Sequence, residues 1–136
     1  MKNARIKVLI IEDDLELAVL IRECIRVCRP QADVEICTNG RDGMRRILDR
    51  SYDCVFVDLS ACTHGSCPEC IIKHAKMNFA YTVVCTGVPV VASSMPSWGQ
   101  DDLLLKPFEI KDLEALFSRH DAQIARALDR VAPPGL

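Results

Sequence analysis

Four carboxylates and one ammonium stand where short apolar runs end, and their types limit the chemistry open to them. The run Val8-Leu9-Ile10-Ile11 stops at Glu12-Asp13-Asp14, Cys54-Val55-Phe56-Val57 at Asp58, and Leu103-Leu104-Leu105 at Lys106-Pro107. If the runs are strands of an open parallel sheet, their carboxyl ends share one crevice, the usual place for a ligand. Carboxylates gathered there repel one another unless a cation sits among them, and hard divalent cations take oxygen ligands. A lysine at the same edge offers a compact charge suited to a phosphoryl group. The combination points to magnesium-assisted phosphorylation.

The elements that must position these groups alternate along the chain. A strand at about 6–11 precedes a helical stripe through Leu17, Leu20, Ile21, Cys24, Ile25 and Cys28 that ends before Pro30. Val34 to Cys37 read as a second strand, and Asn39-Gly40 opens a helix carrying Met44, Ile47 and Leu48. Tyr52 to Val57, Ala80 to Cys85 and Leu103 to Leu105 supply three more strands, with a helix over Ile71 to Met77 between the first two. Ile110, Leu113, Leu116, Phe117, Ile124 and Leu128 mark a long last helix. Strands that are continuous apolar runs suit a sheet covered on both faces. The expectation is a doubly wound α/β domain with five parallel strands.

Bulk properties exclude several classes. At 136 residues there is room for a single core. A net charge of −2 speaks against a nucleic-acid surface. No apolar run approaches the roughly 20 residues needed to cross a bilayer, and Met1-Lys2-Asn3 leads straight into a strand, so a cytoplasmic location is expected. Eight cysteines are many for this length. Cys24, Cys28, Cys37, Cys54 and Cys85 lie on apolar faces, where a thiol behaves as a small hydrophobe.

With those residues in place, the chain resembles the receiver domain of bacterial response regulators from about Lys7 to Phe117. Glu12-Asp13 matches that family's acidic pair, Asp58 its phospho-accepting aspartate, Thr86 its switch hydroxyl and Lys106-Pro107 its Lys-Pro pair. The resemblance implies a flavodoxin-like sheet of order 2-1-3-4-5. It also implies Mg²⁺ or Mn²⁺ held by Asp13, Asp58 and the Ser60 backbone carbonyl, with Glu12 acting through water. Lys106 and Thr86 would grip the phosphoryl oxygens. The implied donor is a histidine kinase or a histidine phosphotransfer protein, with autocatalytic phosphorylation and hydrolysis at Asp58. A degenerate receiver, serving only as a protein-interaction module, is the competing reading. Asp14, next to the helix start at Leu15, reads as a cap.

The sequence departs from that pattern in three places. Leu103 stands at the usual aromatic switch position, three residues before Lys106, and leucine has no ring to swing inward. Between Gly87 and Trp98, Pro89 and Pro96 predict a fourth helix that is short, displaced or absent. After Asp58, the loop Cys62-Thr63-His64-Gly65-Ser66-Cys67-Pro68-Glu69-Cys70, with His74 one turn further, carries ligand types suited to zinc. Its Cys67-x-x-Cys70 pair also fits a redox dithiol, and an inert loop is the third reading.

The domain is expected to close at about residue 120, with residues 121–136 as an extension of the last helix and a short tail. From Glu109 to Val131 a helix would run about 35 Å, longer than a small sheet covers. Its end would expose Ile124, Leu128 and Val131 as a homodimer contact or a lead into an output module.

Overall fold

A computed structural model of the chain describes residues 5–62, 67–87 and 98–131. Its elements are β1 (Lys7–Ile11), α1 (Leu15–Cys28), β2 (Asp33–Cys37), α2 (Gly40–Asp49), β3 (Cys54–Asp58), a 3₁₀ turn (Leu59–Cys62), α3 (Pro68–Met77), β4 (Tyr81–Thr86), β5 (Asp102–Leu105) and α4 (Ile110–Val131). The strands form one parallel sheet in the order β2-β1-β3-β4-β5. This is the flavodoxin-like arrangement, and the five expected strands are all present. The segment expected to hold an irregular fourth helix, residues 88–97, lies outside the described residues.

Alternation along the strands divides the core in two. Val8, Ile10, Phe56, Val83 and Leu104 face α1 and α4, where Ile21, Ile25, Leu113, Leu116 and Phe117 meet them. Leu9, Ile11, Val55, Val57 and Val84 face α2 and α3, against Ile47, Ile71 and Ile72. Each such fully buried side chain contributes on the order of 1.5–3 kcal/mol. On the second face α2 comes so close that a Cβ at Gly43 would stand 2.4 Å from Ile11 Cδ1. Only glycine permits that approach. Arg29, buried at the end of α1, ties the first face together: its guanidinium meets Asp121 at 2.9 Å and lies 5.0 Å over the Phe117 ring.

Two stripe expectations need correction. Leu20 is exposed, because Ala18, Ile21, Ile25 and Cys28 form the row that faces the sheet and leave Leu20 on its flank. Leu48 is exposed for the same reason, since Gly40, Gly43 and Ile47 carry the α2 contact. The last helix does outrun the sheet. Its last buried side chain is His120, Ile124 is half-buried and Leu128 is 62% exposed.

The end of α3 holds a residue in a costly conformation. The Phe79 amide donates to Lys76 and the Ala80 amide to Ala75, closing the helix with a left-handed residue at Phe79, φ 65°. That conformation costs an L-residue roughly 1–2 kcal/mol, and Phe79, 94% exposed, recovers nothing by burial. Phe79→Gly is therefore expected to raise stability by about 0.5–1 kcal/mol in urea unfolding, part of the gain being lost to glycine's greater unfolded-state entropy.

Candidate phosphoacceptor site

Parallel strands deliver their ends to one edge, and the order of the sheet brings β1 and β3 side by side there. Register pairs Ile11 with Val57, Asp58 with Cys85 and Thr86 with Leu105. Glu12 prolongs β1 by donating its amide to the Cys37 carbonyl at 3.0 Å. Lys106 prolongs β5 by donating its amide to Thr86 at 2.8 Å, which sets the threonine and the lysine next to each other. The Lys106–Pro107 peptide is cis. Asp14 instead caps α1, accepting the Leu17 amide at 3.2 Å, as its place before the helix predicts.

Glu12, Asp13 and Asp58 each bring one carboxylate oxygen within 4.8 Å of the others. Lys106 Nζ stands 2.6 Å from Glu12 Oε1 and 3.3 Å from Asp58 Oδ2. One ammonium thus pairs with two of the three carboxylates. The Ser60 hydroxyl lies 2.9 Å from Asp13 Oδ1 and also hydrogen-bonds Asp58 Oδ2. Its single proton serves one carboxylate at a time.

The charge excess shows in the proton affinities. Burial pushes Glu12 up to about 7, and its hydrogen bond to Asp58 adds to this; the Lys106 hydrogen bond pulls the other way and is outweighed. Asp13 moves in the opposite direction, held below the usual carboxylate range by its hydrogen bonds with Glu12 and then Ser60. Burial alone would lower Lys106, yet the Glu12 hydrogen bond and the Asp58 and Glu12 charges hold it above the ordinary lysine value. A proton kept on Glu12 lets its neighbours stay ionised. The donors are all hard oxygens, and the set fits Mg²⁺.

Residues around this cluster complete the picture. Thr86 is buried at the end of β4. Leu103 packs, as Trp98 does, against the core on the α2–α3 face. A groove of about 460 Å³ beside the site is lined by Leu17, Leu20, Cys24, Lys106, Pro107 and Phe108.

Solved structures share this architecture. The chain superposes with a TM-score of 0.75 on a CheY-like response regulator receiver domain from Methanospirillum hungatei, 20% identical, covering 90% of this chain and 99% of that one. It superposes at 0.71 on the response regulator TrrA from Thermotoga maritima, solved in complex with Mg²⁺ and BeF, 18% identical over 84% of this chain and 97% of that one. The chain folds as a response regulator receiver domain. A curated relative, the response regulator ArlR of Staphylococcus saprophyticus, is 27% identical over 80% of this chain. The chain spans about half the length of that relative. No protein-family model matches it.

The structure brings Glu12, Asp13, Asp58, Ser60, Thr86 and Lys106 of this chain to one edge of the sheet. Among the described residues it gathers no three of the expected zinc ligands: Cys62 is buried, Cys67 at the N-cap and Cys70 in the first turn of α3 are exposed, and His74 Nδ1 is engaged 2.8 Å from the Cys70 carbonyl. His64 lies outside the described residues. Among the described residues, the three carboxylates are the group that could share a metal. Sequence reasoning missed two features, the Ser60 hydroxyl on both aspartates and the direct Glu12–Lys106 pair. Only the position of Ser60, two residues after Asp58, could have hinted at the first.

Asp13→Asn is expected to weaken Mg²⁺ binding about tenfold or more, ~1.4 kcal/mol. Asp14→Asn, a change at the cap, should leave affinity within about twofold. Isothermal titration calorimetry at one ionic strength separates the two.

Proposed function

We propose that this chain is a phosphorylatable switch of two-component signalling, with Asp58 as acceptor. The observation that carries the reading is Lys106 poised 3.3 Å from Asp58, in a cluster where Glu12, Asp13 and Asp58 share space for one cation. An Asp58 carboxylate oxygen forms a bond to phosphorus as the nitrogen–phosphorus bond of a donor phosphohistidine breaks, its electron pair returning to the imidazole. Such transfer rests on positioning and on neutralising the phosphoryl oxygens. Asp13, Asp58 and the Ser60 carbonyl would hold Mg²⁺, with Glu12 behind a water. The ion supplies the positive charge that three carboxylates and one lysine lack. Lys106 exchanges its carboxylate partners for a phosphoryl oxygen, and the Thr86 hydroxyl takes another.

The donor is a histidine kinase or a histidine phosphotransfer protein. The groove beside Lys106 supports this, since the exposed Leu20 and half-buried Leu17 and Cys24 offer a helical donor an apolar seat next to the acceptor. With leucine at position 103, the signal passes to the partner face without the swing of an aromatic ring. Acetyl phosphate with Mg²⁺ is expected to add one phosphoryl group to the intact protein by mass spectrometry, and Asp58→Asn should abolish it. Label retained on Asp58→Asn would move the acceptor elsewhere. Failure of the natural sequence to take any label would favour the pure interaction module.

The overrun of α4 supports self-association. Ile124, Leu128 and the nearby Phe79 leave apolar surface beyond the sheet, and a second copy presents the same stripe. Sedimentation should detect a dimer of the full chain that a version ending at His120 lacks. Monomers in both cases, with and without beryllofluoride, would refute the contact.

A further inference from the structure

We propose that Cys67 and Cys70 form a thiol–disulfide exchange site, whose substrate is a small or protein disulfide and whose product is an intramolecular Cys67–Cys70 disulfide.

The eight cysteines divide sharply by environment. Cys28, Cys37, Cys54, Cys62 and Cys85 are buried and Cys24 is half-buried, whereas Cys67 and Cys70 alone are exposed. Burial pushes the thiols of Cys37, Cys54 and Cys85 up, the last to about 12, and so removes them from thiolate chemistry at neutral pH. The exposed pair is arranged differently. Cys67 is the N-cap of α3, its Sγ accepting the Cys70 amide at 3.3 Å. Pro68 at the first helical position fixes the backbone between them. Side chains three apart on one helical turn are neighbours, and a disulfide needs that proximity.

Cysteine is a weak choice for a cap, where serine, threonine or aspartate does better. What sulfur adds is nucleophilicity. The Cys70 thiol donates to Cys67, and with the Cys70 amide it holds Cys67 below the ordinary thiol value; Cys70 is raised by the same hydrogen bond. One thiol is thus prepared to attack and the other to stay protonated until it resolves. Glu69, the nearby negative charge, is paired with Lys73 at 3.0 Å.

The exchange balances in two steps. The Cys67 thiolate attacks one sulfur of the substrate disulfide, forming a mixed disulfide and expelling the other sulfur as a thiolate, which takes up a proton. Cys70 then loses its proton and attacks Cys67 Sγ, releasing the second substrate thiol. Two electrons pass from the cysteine pair to the substrate, and both thiol protons end on its products.

The test uses the reduced full-length chain and oxidised glutathione, with free thiols then alkylated and peptides sorted by mass. A disulfide confined to Cys67 and Cys70 is expected, with Cys24 still alkylated. Cys70→Ser should instead trap glutathione on Cys67, and Cys67→Ser should block the internal disulfide. The proposal is overturned if Cys24 is modified as fast as Cys67, or if the pair stays reduced. It is equally overturned if bound zinc must be chelated before either thiol reacts. Phosphorylation at Asp58 is read separately, so a failed acceptor and a failed dithiol give different results.

Discussion

The rest of this structure depends on one electrostatic imbalance: three carboxylates drawn to the ends of two adjacent strands and met by a single lysine. Like charges this close cannot all ionise cheaply in a partly buried pocket. Glu12 responds by holding its proton up to about pH 7, while Asp13 and Lys106 keep their charges. A divalent cation and a phosphoryl group each change this balance in opposite senses. That makes the pocket sensitive to both, the property a phosphorylation switch needs.

The sheet is what enforces the imbalance. Because β1 and β3 are parallel neighbours flanking the point where the strand order reverses, Glu12, Asp13 and Asp58 leave the sheet at one edge. The ladder between β4 and β5 adds Thr86 and Lys106 at the same level. The cores on the two faces hold these ends in register, since a shift of one residue would exchange the α1–α4 and α2–α3 faces. Packing just behind the pocket, of Gly43 against Ile11, therefore bears on the position of Glu12, the next residue along.

Much of this was legible in the sequence, because strand ends carry their chemistry in residue type. The runs ending at Asp13, Asp58 and Lys106 located three sides of the pocket, and the apolar runs implied a sheet covered on both faces. Periodicity was a poorer guide to which side of a helix is buried. Leu20 and Leu48 extend apolar stripes but lie on their flanks, where only the docking angle of the helix decides exposure. The Ser60 hydroxyl was invisible for a related reason: a serine in a turn has many partners, and only coordinates choose among them. Cys67 and Cys70 were visible as a motif, yet spacing alone could not separate metal from redox chemistry. The structure adds that Cys67 and Cys70 are exposed whereas Cys62 is buried.

The central claim is that the pocket is strained by excess negative charge until a cation joins it. Thermal melting of the natural sequence and Asp58→Asn, each in chelator and in Mg²⁺, tests this most directly. Removing one carboxylate should raise the melting temperature in chelator by about 2–6 °C, the range that ~1 kcal/mol produces in a domain of this size. Mg²⁺ should stabilise the natural sequence and leave Asp58→Asn nearly unchanged. A variant that melts lower in chelator, yet gains as much from Mg²⁺ as the natural sequence does, would contradict the account.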